Sequence, residues 1–312
     1  MRITNKTTDK MFTKFEDIFA ELAGRGAKKR MIAAWGVDGH TIAAASKAID
    51  LGMIEATLVG DEALIREQCE KDGIDISKFT IVHNPSELPA VAEAVTMVRE
   101  GQGDILMKGL CSTDKFMRAI LNKETGLLPP KAVLSHVSVI ENPNYHKLIF
   151  LGDMAVIPLP DLSQKKAILT YLVNTAHSMG IACPKVAIIA ATEQMLEKMP
   201  ACVEAAVLAK KVDRGEIKGC VADGPLALDV AIDQESVEIK HLSSPVAGDA
   251  DCLLFPNIES ANVFYKTNSK LAAGVHQAGM VVGAKVPCVL SSRADSIDTK
   301  LNSIAIAAMA AK

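Results

Sequence analysis

Val286-Pro-Cys-Val-Leu-Ser-Ser-Arg-Ala-Asp-Ser-Ile-Asp-Thr-Lys300 reads as a short apolar strand, a polar turn and the start of a helix. The strand is Val286 to Leu290. From about Asp295 onward, Ile297, Leu301, Ile304 and Ala308 recur at helical spacing and predict a helix to the C-terminus with one apolar face. Ser292 stands three residues before Asp295, the spacing of a capping box. A helix N-terminus offers free N–H groups to an anion, and the forked guanidinium of Arg293 adds a cation beside it. The turn therefore gathers hydroxyls (Ser291, Ser292, Ser296), a guanidinium and two carboxylates (Asp295, Asp298). These groups suit phosphate binding next to a proton acceptor. Each of them also has an ordinary use as a cap or a surface charge.

The same strand–turn–helix unit recurs upstream. Arg30 to Trp35 leads through Gly36-Val-Asp-Gly39 to a helix over Thr41 to Leu51. Ile54 to Val59 leads to a helix capped by Asp61 and ended before Gly73. Thr80 to His83 leads to Ser86 to Glu100, and Asp104 to Met107 to about Thr113 to Asn122. Short apolar strands alternating with helices predict a parallel sheet covered on both faces, hence an α/β fold. Between Val133 and Gly152 the rhythm changes: Val137 to Glu141 and Lys147 to Leu151 flank Asn142-Pro-Asn-Tyr145 and predict an antiparallel hairpin. That passage marks entry into a second domain. The alternation then resumes with helices from Asp161 or Ser163 to Met179, from about Ala201 to Val212, and from about Ala261 to Ala273. Strands are expected at Lys185 to Ala190, Ile217 to Ala222 (stopped by Asp223-Gly-Pro225), Cys252 to Phe255 and Met280 to Gly283. The last strand and helix return to the first domain. The expected division is 1–140 plus 287–312 for the first α/β domain and 141–286 for the second.

With 312 residues and a net charge of −3, the chain can bury real cores and has no electrostatic case for nucleic acid. No apolar run approaches the length of a membrane span, and the polar N-terminus lacks the core of a signal peptide. Seven cysteines, an odd number without CxxC spacing, point to the cytoplasm and away from disulfides or zinc. No GxGxxG, HExxH or calcium-loop pattern occurs, so no cofactor or metal is expected.

In open α/β sheets, sites lie outside the carboxyl ends of strands. Four polar clusters fall after expected strands and suggest one shared cleft: Lys108-Gly109 through Ser112 and Thr113, Ser135-His136, Asp223-Gly-Pro225, and Ser291 to Asp298. Gly109 is expected to let a ligand approach the backbone. Asp223-Gly-Pro-Leu-Ala-Leu-Asp229, short and apolar between two acids, is expected to wall a pocket.

Taken together, Lys108-Gly-Leu-Cys-Ser-Thr113 with Arg118, Leu134-Ser-His-Val137, Pro160-Asp-Leu-Ser-Gln-Lys165, Asp223 to Asp229, Ala247-Gly-Asp-Ala-Asp251 and Ser291 to Ser296 resemble the phosphate acetyl/butyryltransferase family, and its butyryl-type members in particular. The resemblance runs from about Phe12 to Ala310. It implies two α/β/α domains with a cleft between them, as in isocitrate and isopropylmalate dehydrogenases. It also implies the reaction acyl-CoA + phosphate ⇌ acyl phosphate + CoA, carried out by a homo-oligomer. By that resemblance Ser292 and Arg293 serve the acyl phosphate and Asp298 serves the CoA thiol, with Asp295 as the alternative acid. Lys108, Ser112, Thr113, Ser135, His136, Asp223, Ala227, Ser291, Asp295 and Ser296 are then the substrate-binding set. Ser112 stands where the resemblance leads one to expect His. The small Ala227 suggests a butyryl or branched acyl group rather than acetyl. The competing readings are a phosphate acetyltransferase of the same family, a dehydrogenase of the same fold, and a non-catalytic CoA- or phosphate-binding protein.

Overall fold

Strands alternate with helices along nearly the whole chain, and every strand among the described residues joins one sheet. A computed structural model describes residues 11–291 and 295–312. Its first half contains α1 (Phe15–Gly24), β1 (Lys29–Ala34), α2 (Gly39–Asp50), β2 (Ile54–Gly60), α3 (Glu62–Asp72), β3 (Thr80–His83), α4 (Glu87–Arg99), β4 (Ile105–Lys108) and α5 (Thr113–Leu121). The hairpin strands follow as β5 (Ser135–Glu141) and β6 (Ile149–Gly152). Then come α6 (Leu162–Ser178), β7 (Lys185–Ile189), α7 (Pro200–Asp213), β8 (Val221–Leu226), α8 (Leu228–Ile232) and α9 (Gln234–Ile239). The chain finishes with β9 (Cys252–Leu254), α10 (Ile258–Leu271), β10 (His276–Val282), β11 (Cys288–Val289) and α11 (Ile297–Ala310).

Local signals account for most of these boundaries. Asp61 caps α3 through the N–H groups of Ala63 and Leu64, and Gly73 ends it in the left-handed conformation at φ 66°. Asp161 and Gln164 form a capping box at the start of α6.

The eleven strands described are ordered β3-β2-β1-β4-β11-β10-β5-β6-β9-β7-β8. From β3 to β11 all neighbours are parallel. Direction then reverses between β11 and β10, between β10 and β5, and between β5 and β6. From β6 to β8 neighbours are parallel again. Three reversals leave the two parallel groups running in opposite senses, so their carboxyl ends emerge at opposite edges of the sheet. The hairpin expected around Asn142 is thus the element that turns the sheet over.

Three expectations need correction. The strand expected at Ile217 to Ala222 lies further on, at Val221–Leu226, and runs through Asp223-Gly-Pro225 instead of stopping there. β8 is an outermost strand, with a register shift opposite Ala187 and Ile189, and an edge or bulge is where a strand tolerates a proline without an N–H. α11 begins at Ile297, about two residues later than expected, with Ser296 as its cap accepting from Thr299 N–H, and the Ser292 half of the anticipated capping box lies outside the described residues. Its side chains from Lys300 to Met309 are all buried, not one face alone. An all-buried helix belongs to a core, and α11 packs on β10, α2 and α1. Among the described residues, no helix is long and apolar enough to cross a membrane.

Candidate active site

The carboxyl ends of β4 and β11 lie side by side, and the chain leaves each through a polar turn. After β4, Gly109 N–H donates to Ala34 C=O at 3.0 Å and Leu110 N–H to Trp35 C=O at 2.9 Å. A Cβ on Gly109 would stand 2.1 Å from the Trp35 carbonyl oxygen. Gly109 is therefore required by the contact between the β4 and β1 turns, and the expected approach of a ligand is not its reason. Lys108, 3 % exposed, folds back so that Nζ donates to the carbonyls of Gly109 (3.0 Å) and Cys111 (2.8 Å). Ser112 caps α5 by accepting from Lys115 N–H.

These turns open on a pocket of about 1100 Å³. Of the expected residues, Lys108, Ser112, Thr113, His136, Ser291, Asp295, Ser296 and Asp298 line it. Three sequence-distant segments thus meet in one pocket. Asp298 is exposed at the mouth, where Lys47 Nζ lies 2.9 Å from its Oδ1. Ser292 and Arg293 lie outside the described residues.

Three expected residues are not brought to this pocket. Ser135 is fully buried and donates its hydroxyl to Asp153 Oδ2 at 2.8 Å. Asp223 accepts from Gly224 N–H, and Ala227 is the N-cap position of α8. Asp223 lies within β8 and Ala227 directly follows it, four strands beyond β5, which is roughly 19 Å at ordinary strand spacing. They also face the opposite edge, because the sheet reverses between the two groups. Among the described residues, the four polar clusters do not share one cleft.

The pocket has residues that strand-end reasoning passed over. Asn262, Tyr265, Lys266, Ser269 and Lys270 line it from α10. Their spacing is i, i+3, i+4, i+7, i+8, one helix face. That stripe was the available signal. Gln277 and Gly279 on β10 and Asn302 and Ser303 on α11 close the inner wall. Ser303 Oγ accepts from Gly279 N–H at 3.0 Å and donates to Thr299 C=O at 2.7 Å, which ties α11 to the sheet. His136 packs over Gly279, where a Cβ would meet its Cε1 at 2.7 Å. Burial pushes the His136 imidazole well below the ordinary histidine range, while the nearby Asp153 carboxylate pulls the other way. Burial thus favours the neutral ring, whose Nδ1 lies 3.3 Å from Ser138 Oγ.

Asp153 holds the opposite wall. It is 2 % exposed and accepts from Ser135 Oγ and from the N–H groups of His136, Ala155, Val156 and Ile157. Met154 and Ala155, which line the pocket, are fixed by that carboxylate, and Asn262 Nδ2 donates to Met154 C=O at 3.0 Å. Beneath the floor lies Lys300, 3 % exposed, whose Nζ donates to Ser291 Oγ at 2.7 Å. A buried lysine next to a hydroxyl, with a helix N-terminus at the mouth, can take up an anionic ligand. Among the described residues no group of three or more His, Cys, Asp or Glu is placed to hold a metal ion.

Residues 87–308 match the model of the family described as phosphate acetyl/butaryl transferase. A phosphate butyryltransferase of Clostridium acetobutylicum is 43 % identical over 301 residues, covering 96 % of this chain and 99 % of that protein. A phosphate acetyltransferase of Rhizobium meliloti is 40 % identical, covering 87 % of this chain and 85 % of its own length. Among solved structures, a branched-chain phosphotransacylase from Enterococcus faecalis V583 superposes with a TM-score of 0.80 at 29 % identity, covering 90 % of this chain and 98 % of that one. Matched in sequence over 96 % of its length and in fold, the chain belongs to the phosphate acetyl/butyryltransferase family.

Proposed function

We propose that this chain is an acyltransferase that moves a short-chain acyl group between CoA and inorganic phosphate: acyl-CoA + phosphate ⇌ acyl phosphate + CoA. The observation that carries the reading is the 43 % identity across 96 % of the chain to a phosphate butyryltransferase. The pocket chemistry supports it. Attack on a thioester or acyl phosphate carbonyl builds negative charge on oxygen, and hydroxyls and N–H groups stabilise that charge best when held in place beforehand. Phosphate enters or leaves as a multiply charged anion, which Arg293 suits as a bidentate partner. Ser292 and Arg293 serve the acyl phosphate in this reading, and Asp298 at the pocket mouth takes the proton of the CoA thiol. A free thiol is only a few per cent thiolate at neutral pH, so a placed base is worth about 10²–10⁴-fold. Lys266 and Lys270, exposed along α10 at the rim, suit the phosphates of CoA. The reaction needs no metal or bound cofactor.

The finer parts of the reading are these. The acyl group is butyryl or a branched chain of similar size. The fold is of the isocitrate/isopropylmalate dehydrogenase kind, with lobes 1–140 plus 287–312 and 141–286; the reversal of strand direction around β5 and β10 supports that division. The enzyme works as a homo-oligomer in the cytoplasm, in keeping with its seven free thiols. The test is kcat/KM for CoA release in phosphate, measured across acetyl-, butyryl- and isobutyryl-CoA. The expected order puts a four-carbon substrate first by about tenfold, at ~0.8 kcal/mol per buried methylene. A preference for acetyl-CoA would make the chain an acetyltransferase of the same family.

A further inference from the structure

Lys300 is the residue of α11 whose presence stability does not explain. It sits on a helix that is buried from Lys300 through Met309, and 3 % of its surface is exposed. A buried ammonium loses its hydration, and the described contact that replaces it is a neutral hydroxyl, Ser291 Oγ at 2.7 Å. Desolvation pulls its pKa down, the carboxylates of Asp38 and Asp295 favour its charge, and the ammonium of Lys108 opposes it. Packing alone would favour an aliphatic residue here.

Ser291 explains the arrangement. It is 4 % exposed, yet it lines the pocket and directly precedes Ser292 and Arg293 in the chain. A hydroxyl has one proton to give and two lone pairs. With the Lys300 ammonium donating to one lone pair, the oxygen is polarised and its own proton is the one to be donated onward. A hydroxyl held by a cation is the stronger donor for that reason.

We propose that Lys300 is a positioning residue: through its hydrogen bond it sets Ser291 as a donor to a non-bridging oxygen of the phosphate or acyl phosphate in the pocket. The proposal rests on the phosphotransacylase reading above and adds to it a residue pair for recognising the phosphoryl group. A hydroxyl polarised by an ammonium suits an anionic phosphoryl oxygen better than the carbonyl of a neutral thioester.

The test is steady-state kinetics on full-length Lys300→Met and Ser291→Ala, with phosphate and butyryl-CoA varied in turn. Each variant is expected to raise the KM for phosphate about tenfold to a hundredfold, the usual worth of a charge-assisted hydrogen bond. The KM for butyryl-CoA should stay within about twofold. The double variant should be no worse than the poorer single one, because both remove one interaction. Ser291→Ala deletes a single oxygen and carries the test by itself if Lys300→Met does not fold. Phosphate KM values within twofold of wild type, equal rises for both substrates, or additive losses in the double variant would overturn the proposal. A wild-type protein without phosphate-dependent acyl transfer would overturn the functional reading instead.

Discussion

Replacing Asp153 by Asn changes one atom, and the structure says what that atom does. Oδ1 accepts from the N–H groups of Ala155 (2.8 Å) and Val156 (2.9 Å). Oδ2 accepts from Ser135 Oγ (2.8 Å), His136 N–H (3.3 Å) and Ile157 N–H (3.2 Å). An asparagine can keep its oxygen on only one side. Its NH₂ then faces two backbone donors whichever way it turns, either Ala155 and Val156 or His136 and Ile157. Ala155 N–H and Val156 N–H are only part-buried whereas His136 N–H is sealed, so the amide turns its NH₂ towards the former pair, and losing two hydrogen bonds to a carboxylate there should destabilise the protein by about 2 kcal/mol. Ser135→Ala is the control, since it removes one neutral partner and should cost only about 1 kcal/mol. Urea unfolding followed by circular dichroism reads the difference as a lowered midpoint at constant slope. Because Met154, Ala155 and His136 all line the pocket, activity should fall further than stability. A loss below about 1 kcal/mol for Asp153→Asn would refute the assignment of Asp153 as the anchor of this wall.

Other changes separate the parts of the site. Gly109→Ala should lower the melting temperature and abolish activity together, because the added Cβ meets a backbone carbonyl at 2.1 Å that cannot swing away; a stable, active variant would show that the β1 and β4 turns are not in contact. His136, with its pKa pushed down by burial to about 4, is neutral when folded but titrates near 6.5 when unfolded. Its unfolded form therefore binds the proton first, and stability should fall as pH drops from about 6.5 towards about 4; His136→Asn should flatten that slope, and an unchanged slope would count against a buried neutral ring. Asp298→Asn should depress turnover about a hundredfold at neutral pH and less at high pH, where the thiol ionises unaided; if Asp295→Asn does this instead, the base stands one turn earlier. Ala227→Gln should leave the ratio of butyryl-CoA to acetyl-CoA turnover unchanged, since Ala227 lies on the far side of the sheet; a narrowed ratio would bring β8 back into the acyl site.

Much of this architecture was legible in the residues because local signals and burial agreed. Strand β3 falls at Thr80–His83 as read, Asp61 and Gly73 bound α3 as read, and Asn142-Pro-Asn-Tyr145 marks a true antiparallel hairpin. Ile217, though apolar and buried, belongs to no strand, and Pro225 does not stop β8, because an edge position relaxes the rule against proline. The expectation of one cleft for all strand-end clusters failed for a topological reason. Counting strand ends assumes that strands share a direction, and the reversals around β10 and β5 send the Asp223 cluster to the other edge. Ser135 and His136 are adjacent, yet a strand alternates its faces, so one side chain turns to Asp153 and the other to the pocket. Lys300 was invisible for a different reason: nothing in a sequence distinguishes a lysine that snorkels to solvent from one sealed beneath a serine.

The central claim is group transfer to phosphate, and stoichiometry tests it most directly. Purified protein is incubated with butyryl-CoA and inorganic phosphate, free thiol is followed with a disulfide reagent, and acyl phosphate is trapped with hydroxylamine. The account predicts no thiol release without phosphate, and one hydroxamate formed from acyl phosphate for each thiol released when phosphate is present. Thiol release that proceeds without phosphate, or that yields free butyrate in place of trappable acyl phosphate, would contradict it.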